Sequence, residues 1–192
     1  MIRLIASLLL ASCLPVFAGS VFKDDFSNPK LTERKAARGP WKFAGGIATC
    51  TQDDELFKKF KDHGPIIFYN VPHQNAKIRF AFKADACRSV VFTANGEKGH
   101  VFRFVSGAAG TSVRCFPPGA DHKSVELSKG PALKQGEWVE VAVELNGSKA
   151  ILSIGKDFTQ TLESPHLAAA KANISVGFSF GTLSVRDVVI EQ

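Results

Sequence analysis

Histidine and arginine side chains recur at short spacing in the middle of the sequence, and these residue types could do chemistry there. His100 and Arg103 lie three positions apart, and Arg114 follows in the next apolar stretch. An imidazole changes its charge near neutral pH, so His100 could act as a general base or a metal ligand. The planar fork of Arg103 could hold an oxyanion, a carboxylate or a pair of sugar hydroxyls. The ordinary alternative is a rim histidine bonded to loop backbone and arginines paired with surface carboxylates.

A second group of candidates occupies residues 53–65, the most polar segment of the chain. Its apolar positions have helical spacing behind a run of acids, which favours a short helix, although a long loop fits as well. If the segment folds over a sheet, Glu55 could be the acid or base partner of the site. Together with His63 and His100, it could hold a divalent cation. The sequence has no typical metal-binding spacing, so this cofactor stays an open alternative.

The elements that must position these side chains are extended strands. In residues 76–83, Phe80 and Phe82 fall on one face and Arg79 falls on the other, as alternation in a half-buried strand requires. Glycine-containing separators then divide three further apolar stretches, which is typical of hairpin loops. These three stretches are predicted strands at residues 88–94, 100–105 and 111–115. We expect the four strands to form one meander.

The register of that meander makes a specific prediction about the site. If Phe102 and Phe104 join the core, alternation turns Arg103 outward, and Arg114 follows in the same way. We therefore expect Arg79, Arg103 and Arg114 to share one outer face, with His100 near its rim. Arg79, Arg114 and His63 would bind substrate there, and His100, Glu55 and Arg103 would act on it.

The whole chain has the pattern of an all-β domain. About a dozen short strands are separated by turn signals, with Asn146-Gly147 as the strongest hairpin signal, and little room remains for helices. The 192 residues contain 45% hydrophobic and 22% charged residues, which is ordinary globular composition. We expect one domain at residues 19–192, in which two antiparallel sheets pack face to face.

The first 18 residues have the features of a signal peptide. Arg3 precedes an apolar run from Leu4 to Leu14, and Ala18 ends a small-residue cleavage site. The run is too short to cross a membrane, so we predict no transmembrane segment. The alternative is cleavage before Cys13, which would leave that residue lipid-anchored. In both cases we expect an exported protein, periplasmic or secreted.

The cysteine count leaves two alternatives open. Without Cys13, the cysteines that remain are Cys50, Cys87 and Cys115, and their spacing resembles no zinc motif. One disulfide with a free thiol, or three buried free thiols, both fit. Because the predicted register places Cys87 opposite Ser106 and far from Cys115, a disulfide would more readily involve Cys50.

The charge of the chain is compatible with an anionic partner. The formal net charge is +6, or +5 without Arg3. Such a charge favours binding to acidic polysaccharide, lipopolysaccharide or a membrane surface. The alternative is that the charge serves only solubility. Basic runs interleaved with aromatic residues are missing, so nucleic acid is not expected as a partner. The sequence also lacks a serine nucleophile elbow, a phosphate loop and a dinucleotide motif. Nothing in the pattern indicates an oligomeric state.

Several short motifs together resemble one group of exported bacterial proteins, the 3-keto-disaccharide hydrolase family, also described as 3-keto-glucoside lyases or hydratases. The resemblance spans about residues 20–192. The motifs that carry it are Asp24-Asp25-Phe26, Trp41 before Gly45-Gly46, residues 76–80, residues 99–103, Gly136-Glu137-Trp138, Asn146-Gly147 and residues 185–188. The resemblance implies a concanavalin A-like jelly roll and a carbohydrate partner. The positive net charge of the chain favours an anionic one.

The same resemblance implies cleavage of a 3-keto-glycoside, with His100 or Glu55 as the base and Arg103 beside the developing oxyanion. The chain departs from the family's commoner members at residues 88–93, where their strand carries an arginine that is missing here. Two alternatives to an enzyme stay open. One is a non-catalytic lectin-like module for an acidic glycan, and the other is a structural envelope protein.

Overall fold

The computed structural model describes residues 19–192, so the predicted signal peptide and Cys13 lie outside the described residues. These residues form fifteen β-strands and the α-helix α1 at Asp54–Lys59, with short 3-10 turns at Asp121–Lys123 and Pro165–Ala168. In chain order the strands are β1 (Val21–Asp24), β2 (Arg34–Ala37), β3 (Lys42–Ala44), β4 (Ile47–Thr51), β5 (Ile66–Tyr69), β6 (Ala76–Asp85), β7 (Ser89–Gly96), β8 (Gly99–Gly107), β9 (Gly110–Cys115), β10 (Val125–Gly130), β11 (Trp138–Asn146), β12 (Lys149–Ile154), β13 (Phe158–Glu163), β14 (Asn173–Ser179) and β15 (Thr182–Glu191). No helix within residues 19–192 is long and apolar enough to span a membrane.

The strands form two antiparallel sheets, and the prediction of an all-β sandwich is confirmed. Sheet A has eight strands in the order β13-β12-β11-β6-β15-β4-β3, with β1 also paired to β15. Sheet B has seven strands in the order β10-β9-β8-β7-β14-β5-β2. The inward-facing side chains of both sheets belong to one connected hydrophobic cluster, as expected when alternating strands pack face to face.

Phenylalanine rings join the two sheets at the centre of this core. Phe80 of sheet A stacks on Phe92 of sheet B with 5.7 Å between ring centroids. Phe92 also contacts Phe104 at 5.5 Å and Phe102 at 6.3 Å. The predicted burial of Phe80, Phe82, Phe102 and Phe104 is confirmed, since each is at most 3% exposed.

The prediction of a four-stranded meander is wrong for its first strand. Strands β7, β8 and β9 are consecutive neighbours in sheet B, but β6 lies in sheet A between β11 and β15. The chain crosses between the sheets after Asp85, and Ala86 adopts a left-handed conformation with φ of 55° at the crossing. Alternation shows which side chains face inward, but it is the same whether two strands share a sheet or face each other across the core.

All three described cysteines are buried free thiols, which is the second of the two alternatives from the sequence. Burial raises the pKa of the Cys50 thiol to about 12 and that of Cys87 to about 11. Thiols with such pKa values stay protonated near neutral pH and react slowly. The register expected for Cys87 is wrong, because Val90 is the residue opposite Ser106.

Candidate functional site

A cleft of about 490 Å³ crosses the outer face of sheet B, and we name it the sheet B cleft. Outward-facing residues of β5, β7, β8 and β14 form its floor, and the segment that follows α1 forms one end. The residues that line it are Arg38, Asp62, His63, Gly64, Pro65, Ile66, Phe68, Ser89, Val91, Thr93, Asn95, His100, Arg103, Val105, Ser175, Gly177, Phe178 and Ser179.

Strand register places three polar side chains and one phenylalanine of the cleft in one row. Arg103 of β8 lies opposite Thr93 of β7, Thr93 lies opposite Ser175 of β14, and Ser175 lies opposite Phe68 of β5. Directly opposite residues in antiparallel strands have Cβ atoms about 4.5–5.5 Å apart and project to the same face. The row therefore runs across four neighbouring strands, perpendicular to them.

A directional hydrogen-bond network links this row to the next one. Arg103 donates from Nε to Thr93 Oγ1 at 3.1 Å and from Nη2 to His100 Nε2 at 2.5 Å. Because His100 Nε2 accepts, the ring carries its proton on Nδ1 and donates to Asn95 Oδ1 at 2.8 Å. Asn95 Nδ2 in turn donates to Asn173 Oδ1 at 2.8 Å. The network fixes the orientation of a guanidinium, an imidazole and an amide.

The surroundings of His100 keep its imidazole neutral. Burial lowers the pKa of His100, the adjacent Arg103 guanidinium lowers it further, and Asp121 opposes both effects. The Asp121 carboxylate lies 3.5 Å from His100 Nε2, and its other oxygen accepts a hydrogen bond from the His100 backbone N–H at 2.9 Å. Burial also lowers the pKa of Arg103, but an arginine remains charged near neutral pH.

Beside the polar network the floor of the cleft is apolar. Val105, Val91 and Gly177 lie opposite one another on successive strands, and Ile66 follows on β5. Gly177 allows Pro65 and Ile66 to pack closely against β14. A Cβ at this position would lie 3.0 Å from the Pro65 carbonyl oxygen and 3.3 Å from the Ile66 side chain. The cleft thus presents a shallow aliphatic surface next to oriented donors and acceptors.

The structure brings three of the six predicted site residues together. His100, Arg103 and His63 all line the sheet B cleft. Arg114 lies opposite Arg103 on the same face, but it does not line the cleft. Its guanidinium donates to Ser124 Oγ at 3.0 Å and lies 3.6 Å from the Glu126 carboxylate.

Two predicted residues lie elsewhere, and the prediction that they share this site is wrong. Arg79 projects from the outer face of sheet A, where it pairs with the exposed Glu191 carboxylate at 2.5 Å. Strand β6 belongs to the opposite sheet, so its outward side chains point away from the cleft. Glu55 is exposed in the first turn of α1 and does not line the cleft.

The predicted grouping of Glu55, His63 and His100 around a cation does not occur. Among residues 19–192 no three histidine, cysteine, aspartate or glutamate side chains are close enough to hold a metal ion. His63 Nδ1 lies within 3.0 Å of the carbonyl oxygens of Phe60 and Lys61, so this nitrogen is engaged in its own loop.

The polar residues of β7 and β14 were not among the residues predicted for the site. Thr93 and Asn95 are two positions apart on β7, as are Asn173 and Ser175 on β14, so each pair projects to one face. Polar side chains at alternate positions of otherwise apolar strands were the available signal. Asp121 was not among the predicted residues either, because it reaches His100 from the 3-10 turn 21 residues further along the chain.

Comparison with known proteins shows the fold. No protein-family model matches the sequence, and no curated protein matches it either. The carbohydrate-binding module CBM66 from Bacillus subtilis has a TM-score of 0.60 at 10% identity, covering 85% of this chain and 98% of that one. A non-specific endo-β-1,3(4)-glucanase of family GH16, SCLam, has a TM-score of 0.66 at 8% identity and 91% coverage of both chains.

A third solved structure is the β-glucanase of Bacillus licheniformis, with a TM-score of 0.62 at 10% identity, covering 91% of this chain and 99% of that chain. Each similarity spans most of both chains, so it concerns the complete sandwich. At such low identities it concerns the fold alone. The described residues therefore form a jelly-roll β-sandwich of the concanavalin A-like type, as the family resemblance implied.

Proposed function

We propose that the sheet B cleft binds a carbohydrate chain. The observation that carries this proposal is the network of Arg103, His100 and Asn95 beside an aliphatic floor. Sugars present hydroxyl groups at fixed angles together with apolar ring faces, so they need oriented donors and acceptors next to apolar surface. The carbohydrate-binding module and the glucanases that share the fold are in line with this role. A protein exported by the predicted leader would meet polysaccharide outside the cytoplasm.

Two substitutions in the network test this proposal. Arg103→Ala and Asn95→Ala each remove hydrogen bonds from the cleft, and we expect each to weaken binding of a glycan at least about ten-fold, or ~1.4 kcal/mol. The ligand would first be found by screening purified protein against a glycan array, and affinities would then be measured by isothermal titration calorimetry.

The matched control for this test is Arg79→Ala, which removes the same charge from the opposite sheet. We expect it to leave glycan affinity within about two-fold of that of the unchanged protein, because exposed ion pairs contribute little. Equal affinity of all three variants would contradict binding in the sheet B cleft. Failure of the unchanged protein to bind any glycan would contradict the proposed function itself.

We further propose cleavage of a 3-keto-glycoside as a second candidate function, because a neutral imidazole lies beside a guanidinium in the cleft. In this reaction His100 would take the proton from the carbon between the keto group and the anomeric carbon, a C=C bond would form between those two carbons, and the glycosidic C–O bond would break. The released oxygen would take a proton from the His100 imidazolium or from water, and addition of water to the C=C bond would give the free 3-keto sugar. Arg103 would stabilise the developing oxyanion. Both imidazole nitrogens are engaged in hydrogen bonds, so Arg103 must exchange His100 Nε2 for the substrate oxygen. Asp121, and not the predicted Glu55, would be the carboxylate partner of His100.

This second function predicts turnover of 3-keto-glucosides and a specific pH dependence. A lowered pKa keeps His100 unprotonated below the usual histidine value of about 6.5, so activity should persist there and decline only as the pH falls further. His100→Asn keeps hydrogen bonding but removes the base, and we expect it to reduce kcat at least about 100-fold with little change in KM. Absence of turnover by the unchanged protein across a panel of 3-keto-glucosides would exclude the enzyme and leave the binding function.

A further inference from the structure

The end of the sheet B cleft next to α1 carries a cluster of exposed aromatic rings. Helix α1 is capped at its start by Asp53, and it presents Phe57 and then, at its C-terminal cap, Phe60. These two residues are three positions apart and so project to neighbouring positions on the helix surface. Phe57 packs against Phe180 with 5.3 Å between ring centroids. Phe60 is 38% exposed and Phe180 is 36% exposed, which is unusual for rings of this size.

The backbone holds Phe180 in this exposed position. Phe180 has a left-handed conformation with φ of 60°, which is uncommon for a residue with a bulky side chain. Its N–H donates to Gln52 Oε1 at 2.7 Å. Ser179 next to it lines the cleft and is hydrogen-bonded to Ser89 at 2.8 Å. The ring is therefore rigidly attached to the edge of the cleft.

Each of the two exposed rings lies under an arginine. The guanidinium carbon of Arg38 is 6.0 Å from the Phe60 centroid, and that of Arg88 is 5.5 Å from the Phe180 centroid. Arg38 lines the cleft, and Arg88 directly precedes Ser89. Contact with an aromatic face restricts a guanidinium while leaving its N–H groups available for an oxyanion.

These arginines differ from most others in the described part of the chain because they have no carboxylate partner. Arginine ion pairs within residues 19–192 are made by Arg34, Arg79, Arg114 and Arg186. Neither Arg38 nor Arg88 forms an ion pair with any of the residues 19–192. Two cations thus lie at the cleft end with their charge uncompensated by a close carboxylate.

The neighbouring segment adds to this positive charge. Lys58, Lys59 and Lys61 are exposed around the C-terminal end of α1, and they form no ion pair with the described residues. Asp62 is the acid of this segment that lines the cleft. The other acids of the segment, Asp53, Asp54 and Glu55, lie at the N-terminal end of the helix, so the lysines are in excess only at the end beside the cleft. An excess of positive charge beside a cleft attracts anionic ligands.

We propose that this end of the cleft is an anion subsite, in which Arg38 and Arg88, oriented by Phe60 and Phe180, bind acidic groups of a polyanionic glycan. The inference rests on the proposed carbohydrate-binding function and specifies its ligand class. Neighbouring sugars of the glycan occupy the polar network around Arg103. The acidic groups are carboxylates or sulfates, since both suit the guanidinium fork.

Binding measurements with three oligosaccharides of equal length test the anion subsite. A hexameric oligogalacturonate supplies carboxylates, a sulfated hexasaccharide supplies sulfates, and cellohexaose is neutral. Isothermal titration calorimetry should show at least about ten-fold tighter binding of one acidic probe than of cellohexaose at 50 mM salt. The advantage should shrink as salt rises toward 0.5 M, because the charges are exposed and screened. The acidic probe that binds with the higher affinity shows whether the subsite prefers carboxylates or sulfates.

Substitutions then locate the subsite. Arg38→Gln and Arg88→Gln should each weaken the acidic probe about five- to ten-fold and leave cellohexaose unchanged. Phe180→Leu keeps an apolar side chain but removes the aromatic face. Like Arg88→Gln, it should lower the affinity for the acidic probe. Arg79→Gln on sheet A is the matched control and should change neither affinity.

The outcomes separate this inference from the function on which it rests. If cellohexaose binds as tightly as the acidic probes and Arg103→Ala weakens it, the anion subsite is wrong and carbohydrate binding stands. Acidic binding that Arg38→Gln and Arg88→Gln do not affect also overturns the subsite. Equal binding of a single-stranded DNA hexamer overturns the glycan as ligand. Failure of both acidic oligosaccharides to bind overturns the anion subsite, and failure of every glycan on the array to bind overturns both proposals.

Discussion

Arg34→Met should lower the free energy of unfolding by about 3–5 kcal/mol, because it leaves a buried carboxylate without its partner. The side chains of Arg34 and Asp24 are each 2% exposed. Arg34 Nη1 donates to both Asp24 oxygens at 2.8 Å, and the guanidinium lies 4.1 Å from the Phe43 ring centroid. Equilibrium urea denaturation followed by circular dichroism would measure the effect.

The size of this effect depends on where the pair lies. Asp24 belongs to β1 of sheet A and Arg34 to β2 of sheet B, so the ion pair joins the two sheets through the interior. Arg79→Met is the control, because its pair with Glu191 is exposed and should contribute less than about 1 kcal/mol. The double variant Asp24→Leu with Arg34→Met should recover much of the loss, since it removes both charges. A loss below 1 kcal/mol for Arg34→Met alone would contradict the buried pair.

Phe92→Ala should lower the free energy of unfolding by about 3–5 kcal/mol, the usual cost of a large cavity in a well-packed core. Phe92 is fully buried and contacts rings of both sheets, with Phe80 across the core and Phe104 beside it. The same denaturation measurement applies, and the denaturant dependence should stay unchanged if unfolding remains two-state.

Phe60→Ala is the matched control for this core substitution. It removes the same ring from a position that is 38% exposed, so it should cost less than about 1 kcal/mol. Similar losses for Phe60→Ala and Phe92→Ala would mean that Phe92 is not at the centre of the core.

Alternation along the strands determined much of the fold. Phe80, Phe82, Phe102 and Phe104 were assigned to the core from their spacing alone, and the structure buries all of them. The hairpin signal at Asn146-Gly147 also led to the correct pairing, since Asn146 lies opposite Lys149. These features depend on interactions between residues that are near in sequence, and such interactions are visible in a local pattern.

Alternation along the strands did not determine which strands pair with each other. Strand β6 has the same inward and outward residues in either sheet, so the sequence could not exclude the meander that placed Arg79 beside Arg103. Its actual neighbours, β11 and β15, come from more than 50 residues further along the chain. Contacts at such separation are chosen by how the whole core packs, and no single stretch specifies that choice.

The candidate site also combines features that the sequence predicted with features that only the tertiary structure decided. The sequence by itself singled out His100 and Arg103 as candidates, because their residue types are visible locally. A regular strand would turn two residues three positions apart to opposite faces, and the shift in register between β7 and β8 opposite His100 and Phe102 brings both to the cleft. Only the tertiary structure joined them to Asn95 and Asn173, placed Asp121 rather than Glu55 beside His100, and moved Arg79 to the opposite face. Local periodicity fixes which way a side chain points relative to its own strand, whereas long-range strand pairing decides which side chains meet.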